Sequence, residues 1–160
     1  MSDFADIYRP TEEHEAFRAA VREVCEEKVA PNAAEADELA EFPKASFEAL
    51  VAADFHAPHI PEEYSGVGAD ALATVIVIEE VARACAATSL IPAVNKLATL
   101  PWLLVGSEEI KRTYLPLIAR GEAMASYCLS EPESGSDAAS MNCKPWNSAS
   151  ALPNCLRCLT

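Results

Sequence analysis

Apolar side chains recur at helical spacing through most of the chain up to residue 121. The first helix is predicted to follow Thr11, whose hydroxyl suits the N-cap position, and to end at Pro31. Two shorter helices are predicted over 32–40 and 44–53, because a proline at the start of each fits the first helical turn. The apolar face of the first helix consists of Phe17, Ala20, Val21, Val24 and Cys25.

A long loop separates these helices from three more. Residues 54–69 lose the helical period and contain two prolines and two glycines, which are typical of loops. Helices are then predicted over 70–88, from about 92 to 105, and from Ser107 to just before Gly121. The helix over 70–88 is apolar nearly all round, so we expect it to lie at the centre of the domain.

The pattern changes after residue 123. Residues 124–130 are the one stretch predicted to form a β-strand, because their side chains are largely apolar or aromatic. Small polar residues follow and predict a tight turn that can present backbone N–H groups to a flat polar ligand, although a plain surface turn is the alternative. The predicted fold class is therefore all-α, a helical domain followed by one short β-strand and an irregular tail.

The composition is that of one globular domain. The chain has 160 residues, of which 51% are hydrophobic, and this is enough to form a core. Its 25 acidic and 12 basic residues give a net charge of −13, which disfavours nucleic acid as a partner. The sequence has no run of about 18 apolar residues and no leader pattern at its N-terminus, so it predicts no transmembrane segment and a cytoplasmic location.

The cysteines of the helical part are not expected to carry chemistry. Cys25, Cys85 and Cys128 lie within apolar patterns and are interpreted as small buried hydrophobic residues. Cys155 and Cys158 have the spacing of a metal or redox pair, but a single CxxC without a second pair of ligands is a weak signal.

The histidines and paired acidic residues are also interpreted as structural or surface groups. His14, His56 and His59 are too widely spaced for a catalytic triad or a metal site. Adjacent glutamates point in different directions on a helix and are expected to be solvated. The sequence therefore offers neither a candidate catalytic base nor a metal site among these residues.

Three strings resemble motifs of one enzyme family. Residues 127–137 resemble the flavin and substrate signature of the acyl-CoA dehydrogenase family, Tyr-Cys-x-Thr/Ser-Glu-Pro-x-x-Gly-Ser-Asp. Residues 61–68 resemble the family's Pro-Glu-Glu-Tyr-Gly-Gly-x-Gly loop, with Ser65 where glycine is usual, and residues 79–83 match a further family string. This resemblance leads us to expect a carboxylate partner for Arg83 and, if Ser65 needs a positive φ, a cost of about 1 kcal/mol relative to glycine.

The resemblance implies an FAD-dependent enzyme that oxidises a fatty acyl-CoA thioester to the trans-2-enoyl-CoA. It implies the family's N-terminal helical domain over 1–122, and the first strand and signature loop of its middle β-domain over 123–141. Flavin contacts are expected from Tyr127, Cys128, Leu129, Ser130, Glu131, Gly135 and Ser136. Substrate contacts are expected from Ser136, Thr99, Leu100 and Leu103. The implied partners of the intact enzyme are fatty acyl-CoA, an acceptor similar to electron-transfer flavoprotein, and further copies of the subunit.

The resemblance stops near residue 141. Residues 142–160 contain no Asp or Glu and hold three of the six cysteines. We therefore expect a non-family tail with little order over 142–160, as a reading-frame error in a truncated gene or a genuine short variant would give. The catalytic glutamate of the family is expected in a C-terminal helical domain beyond this chain, so no catalytic residue is assigned here.

Two alternative functions remain open. A non-enzymatic helical module could bind acyl chains or join subunits, because surfaces that other domains normally cover would leave apolar area exposed. The tail with Cys155 and Cys158 could instead be a redox or zinc element. Flavin content distinguishes the enzyme from the module, and thiol titration with metal analysis tests the tail.

Overall fold

A computed structural model describes residues 10–132 and 134–140 of the chain. These residues form six α-helices and two short 3₁₀ turns, Glu62–Tyr64 and Ala138–Ser140. The α-helices are α1 (Glu12–Val24), α2 (Ala30–Leu39), α3 (Lys44–Ala52), α4 (Ala71–Ala84), α5 (Ala86–Val105) and α6 (Glu108–Ala119). The all-α prediction is confirmed, whereas the predicted tail over 142–160 lies outside the described residues.

Helices α1 and α2 follow each other through a π-helical stretch, Cys25–Val29. The prediction that Pro31 ends the first helix is therefore wrong. Pro31 has no N–H and its ring clashes with a carbonyl four residues earlier in a regular α-helix. The wider turn accommodates this, because the N–H of Ala30 bonds the carbonyl of Cys25, five residues earlier. The helical backbone then continues to Leu39 and ends at Ala40, whose φ is 51°.

The break between α4 and α5 lies at Cys85 and not near residue 90. Cys85 has an extended backbone (φ −155°, ψ 111°) that ends one helix and begins the next. Pro92 was predicted to open α5, but it lies inside that helix, as does Pro101. Because Cys85 is apolar and in step with the helical period, the sequence pattern does not reveal the break.

The predicted strand over 124–130 does not form among the described residues. Residues 123–130 have no regular secondary structure, and the one β-bridge in the described part of the chain joins Glu131 to Ser134. A strand requires a neighbouring strand to bond its backbone groups. The described residues offer none beside 124–130.

Two apolar clusters make up the core. The α1–α4 cluster joins the first helices to α3 and α4, and its buried members are Val21, Cys25, Val29, Leu50, Val77, Val81 and Cys85. The loop cluster joins residues 57–64 to α5, α6 and the start of the signature segment, and its buried members are Ala57, Ile60, Tyr64, Ala98, Leu115, Ile118, Ala119 and Ala125. Residues 124–137 are named the signature segment. Full burial of one aliphatic side chain contributes about 1.5–3 kcal/mol.

Helix α5 is the most apolar long helix of the described residues. By length and hydropathy it could cross a membrane, and 39% of its most apolar window is buried. It packs against α4 and α6, and its polar residues Asn95 and Thr99 are buried and hydrogen-bonded inside the domain. These contacts are those of a core helix. The predicted central helix α4 also packs on both α1 and α5, although its Leu72 and Val75 are exposed.

A buried carboxylate fixes α1 against α4. Glu80 is 1% exposed and accepts hydrogen bonds from Arg22 (2.8 and 2.9 Å), Arg18 (3.0 Å) and Arg83 (3.2 Å). Arg83 also donates to Glu26 at 2.6 Å, so the expected carboxylate partner for Arg83 is confirmed. Hydrogen bonding by Arg22, followed by that of Arg18 and Arg83, lowers the pKa of Glu80 to about 2 against the cost of burial.

We predict that Glu80→Gln lowers the free energy of unfolding by roughly 3 kcal/mol at neutral pH, measured by urea unfolding, because a pKa lowered from 4.5 to about 2 corresponds to that much stabilisation. Glu79→Gln is the matched control, since the Glu79 side chain is 62% exposed, and it should cost less than about 1 kcal/mol. A folded-state pKa below the unfolded value stabilises above pH 4.5, and this stabilisation is lost as pH falls toward 2. A difference between wild type and variant that stayed constant down to pH 2 would contradict the assignment.

Ser65 adopts the left-handed conformation, with φ 67°. We predict that Ser65→Gly raises the free energy of unfolding by about 0.5 kcal/mol, because relief of strain of about 1–2 kcal/mol exceeds the added backbone entropy of the unfolded glycine. Thermal unfolding measures this. Gly66→Ala is the contrasting variant, since a Cβ there would lie 2.0 Å from the carbonyl oxygen of Ile60, and it should destabilise strongly. Equal effects of the two substitutions would contradict this account.

Candidate functional site

The signature segment leaves α6 through a tight turn and is anchored at Ala125. Gly121 has φ 70°, and a Cβ there would lie 2.6 Å from Val51, so the turn packs directly on α3. Four residues later, the Ala125 side chain is buried in the loop cluster and its N–H bonds the Asn95 Oδ1 at 3.0 Å. The start of the segment is therefore held by both apolar burial and a hydrogen bond to α5.

Beyond Ala125 the segment is open to its surroundings. Tyr127, Cys128 and Ser130 are exposed, whereas Leu129 and Glu131 are half-buried. Within residues 10–132 and 134–140, the backbone N–H groups from residue 127 to 130 make no hydrogen bond. Because backbone N–H groups need a partner, these donors leave room for a bond to solvent or to a polar ligand.

A compact turn follows. Two backbone hydrogen bonds, of 2.7 and 3.2 Å, link Glu131 and Ser134, and the Ser134 hydroxyl donates to the carbonyl of Asp137 at 2.5 Å. Ser134 is buried, while Gly135 and Ser136 are exposed. A Cβ added to Gly135 would meet nothing within 4 Å, so packing within the described chain does not require glycine there. Sequence reasoning missed that Ser134 holds this turn together.

An apolar groove of about 280 Å³ lies beside the start of the segment. It runs between the beginning of α3, one side of α5 and the backbone of 124–126. Its lining residues are Phe42, Pro43, Ala87, Leu90, Ile91, Val94, Asn95, Met124, Ala125 and Ser126. A chain of CH₂ groups in this groove would contact mostly carbon and would end next to the exposed part of the signature segment.

The three residues predicted to contact an acyl chain lie elsewhere on α5. Thr99 is fully buried and its hydroxyl donates to the Asn95 carbonyl at 2.6 Å. Leu103 packs on the loop cluster, and Leu100 is 40% exposed. None of the three lines the groove, and their predicted contact with substrate stays a prediction.

The groove residues Leu90 and Ile91 were missed because the sequence placed the start of this helix at Pro92. The helix instead begins at Ala86, which adds residues 86–91 to it. Those added turns carry Leu90 and Ile91, and Val94 follows on the same side. A search for apolar residues at helical spacing upstream of Pro92 would have found them.

The histidines connect elements of the fold. The His56 Nε2–H donates to the carbonyl of Ile118 at 2.8 Å, which fixes the ring on the end of α6. Burial lowers the pKa of His59 to about 4, so His59 is neutral at pH 7. His14 lies 3.1 Å from the carboxylate of Asp70 at the start of α4. These contacts agree with the structural roles predicted for them.

The fold and the site can now be compared with known proteins. The family model for the acyl-CoA dehydrogenase N-terminal domain matches residues 11–122. The chain belongs to the acyl-CoA dehydrogenase family. It is 57% identical over 136 residues to a probable acyl-CoA dehydrogenase, FadE25, of Mycobacterium tuberculosis, covering 85% of this chain and 35% of that protein. The chain thus spans about a third of the length of the relatives that it matches.

Two solved structures have the same fold as this acyl-CoA dehydrogenase domain. Glutaryl-coenzyme A dehydrogenase in complex with glutaryl-CoA has a TM-score of 0.75 and 30% identity, with 84% of this chain and 35% of that chain covered. The acyl-CoA dehydrogenase of Bacillus anthracis complexed with FAD has a TM-score of 0.71 and 33% identity, with 82% and 23% covered.

The signature segment fits one edge of a flavin. A flavin ring presents flat apolar faces and polar edges, which need hydrogen-bond donors and close approach of the backbone. The N–H groups of Leu129 and Ser130, which have no partner among the described residues, supply donors, and the open space over Gly135 permits close approach. The predicted flavin-binding residues thus lie on one stretch of chain that carries unpaired backbone donors, and their contact with flavin stays a prediction.

The exposure of Cys128 corrects its interpretation as a buried hydrophobic residue, whereas Cys25 and Cys85 are buried as predicted. We predict that iodoacetamide alkylates Cys128 in the native protein and leaves Cys25 and Cys85 unmodified. Burial also raises the pKa of the Cys25 thiol to about 11, which lowers its thiolate fraction. Peptide mass spectrometry identifies each cysteine, and labelling in urea is the control in which all of them react. Native labelling of Cys25 at the rate of Cys128 would contradict the described burial.

Proposed function

We propose that the protein acts as an FAD-dependent acyl-CoA dehydrogenase, which oxidises a fatty acyl-CoA thioester to the trans-2-enoyl-CoA. The observation that carries this proposal is that the apolar groove reaches Ser126, the residue before the unpaired backbone N–H groups of 127–130 in the signature segment. An acyl chain in the groove would place its polar end beside a flavin held by that segment. Family membership supports the same chemistry.

The signature segment would hold the flavin by its backbone and hydroxyl groups. Leu129 and Ser130 would donate their N–H groups to the ring edge, and the Ser130 hydroxyl would add a further contact. Ser136 would face both the flavin and the CoA side of the substrate. When bound, FAD supplies the group that accepts a hydride from the β-carbon of the acyl chain.

The groove would select the acyl chain. Its side chains Leu90, Val94 and Met124 offer an apolar surface, and each CH₂ buried there contributes about 0.8 kcal/mol. The α-proton would need a base outside this wall, because no carboxylate lies among the described residues that line the groove. The base, an acceptor similar to electron-transfer flavoprotein, and further copies of the subunit complete the proposal for the whole protein.

A non-enzymatic acyl-binding or subunit-interaction module is the second candidate. One observation favours it: α5 exposes several large apolar side chains, namely Leu90, Leu97, Leu100, Leu104 and Val105. Such a surface is typical of a region that contacts other protein. The module would bind acyl chains or protein without flavin, so flavin content separates the two candidates.

We predict that the 160-residue chain alone is colourless, because a single wall offers too few contacts to offset the several kcal/mol of freedom that a ligand loses on binding.

A hybrid that joins residues 1–141 to the remaining part of FadE25 should bind FAD and oxidise acyl-CoA. In the hybrid, Ser136→Trp should abolish most of the flavin absorbance. Glu48→Trp, at an exposed side chain of α3 that does not line the groove, is the control and should retain it.

The hybrid also tests the groove. Val94→Trp should lower kcat/KM for a long-chain acyl-CoA by at least roughly tenfold and affect a short-chain substrate less, because a filled groove excludes the distal CH₂ groups. Glu48→Trp is again the control, since the Glu48 side chain is 65% exposed and does not line the groove. A hybrid without flavin would refute the proposed function, and equal losses for long and short chains would refute the groove assignment.

A further inference from the structure

Asn95 lies where three parts of the chain meet. It belongs to α5 and is 1% exposed. Its Nδ2 donates to the carbonyl of His56 in the long loop, and its Oδ1 accepts from the N–H of Ala125 in the signature segment, both at 3.0 Å. One side chain thus joins the loop, the helix and the segment.

The chemistry of the two partners fixes the orientation of this amide. A backbone carbonyl only accepts and a backbone N–H only donates, so the Asn95 nitrogen must face His56 and its oxygen must face Ala125. An apolar replacement would leave both backbone groups without partners inside the core, which is costly. The side chain at position 95 must therefore supply one donor and one acceptor, each 3.0 Å from its backbone partner.

The surrounding bonds hold Asn95 in place. The hydroxyl of Thr99 donates to the Asn95 carbonyl at 2.6 Å, and the Nε2 of His59 lies 2.6 Å from the same hydroxyl. Since that hydroxyl has one hydrogen and gives it to the carbonyl, His59 acts as the donor to it. The ring of His56 is itself bonded to Ile118. The loop, α5 and α6 therefore form one rigid support for the Asn95 amide.

The hydrogen bond from the Ala125 N–H to Asn95 is the last one that holds the backbone before residues 126–130 of the signature segment. From residue 126 to 130, no backbone hydrogen bond is made within residues 10–132 and 134–140. The next fixed point is the turn between Glu131 and Ser134. The distance of Leu129 and Ser130 from α5 and from the groove therefore depends on where Ala125 is held.

We infer that Asn95 is a positioning residue of this protein: its side-chain amide sets the position of the signature segment against α5 through the N–H of Ala125. The part of this inference that concerns flavin rests on the proposed function. Asn95 also borders the groove, so the same amide fixes the boundary between the acyl surface and the flavin-facing backbone.

Site-resolved amide exchange of the 160-residue chain tests the position directly. In Asn95→Leu, exchange at the Ala125 amide, the one that Asn95 bonds, should accelerate by at least about tenfold more than exchange at core amides of α4 such as Val81. Ser89→Ala is the matched control, since Ser89 is a buried polar residue of the same helix whose hydroxyl bonds only the carbonyl of Ala86. Ser89→Ala should leave the exchange rate of Ala125, relative to that of the α4 core amides, unchanged.

Asn95→Asp provides a rescue that depends on pH. A protonated carboxyl has the shape of the amide and can both donate to His56 and accept from Ala125, whereas the ionised form cannot donate. Burial raises the pKa of such a carboxyl, so the free energy of unfolding of Asn95→Asp should lie closer to the wild-type value at pH 5 and fall further below it as pH rises toward 8, because the ionised form still accepts from Ala125 but no longer donates to the His56 carbonyl. The titratable groups nearby are His56, His59 and Lys96, and His59, with its pKa of about 4, stays neutral throughout this range.

Three outcomes would overturn the inference. Uniform acceleration across the chain in Asn95→Leu would make Asn95 a stabilising residue without a positioning role. A difference in the free energy of unfolding between Asn95→Asp and wild type that did not change from pH 5 to pH 8 would refute the hydrogen bond donated to His56, and this test stands if Asn95→Leu fails to fold. In the FadE25 hybrid, Asn95→Leu should weaken FAD binding at least tenfold and Ser89→Ala should not. A wild-type hybrid without FAD would refute the proposed function, while the exchange data would still decide the position of the segment.

Discussion

The buried carboxylate of Glu80 is the contact on which the arrangement of the helices depends. It lies on the side of α4 that faces α1, and the arginines around it come from α1 and from the next turn of α4. A carboxylate can be buried only if donors satisfy it, so α1 must lie along α4 at one register. The apolar α1–α4 cluster packs between these helices, and α5 packs against α4 as well.

Helix α5 packs on α4 and also lines the groove, so the arrangement of the helices determines where the groove lies. Its inner residues meet the loop cluster, one side forms the groove, and the rest of its apolar surface is exposed. The described residues thus provide an apolar groove without a carboxylate and, beside it, backbone donors without a partner, which is what we propose as one wall of a larger site. A wall of this kind gains affinity only together with the surfaces that oppose it, because each of its contacts is individually weak.

Several local features of the fold could be predicted from the sequence. Thr11 and Ser107 cap α1 and α6 through their hydroxyls, as expected for residues that precede an apolar period. Ser65 stands at a position where the family usually has glycine, so a positive φ was considered there. The structure has that positive φ. Each of these depends on a few neighbouring residues, so a short stretch of sequence contains the information.

Features that depend on distant contacts did not follow from the sequence. Asn95 bonds His56, which is 39 residues away in the sequence, and Ala125, which is 30 residues away. Nothing in the local sequence pattern marks these two bonds. Cys128 was interpreted as buried because its neighbours are apolar, but the described residues provide no strand that would cover it.

The sequence by itself determined the helices, their caps, the all-α class and the family. Helical periodicity and capping are encoded within a turn or two of chain, and the family motifs are strings of adjacent residues. Tertiary structure decided that the helix passes Pro31, that α4 ends at Cys85, and that Leu90 and Val94, in place of Thr99, face the groove. These outcomes depend on which surfaces the other helices cover, because burial and hydrogen bonding by distant residues outweigh the small local preferences of a single proline, cysteine or threonine.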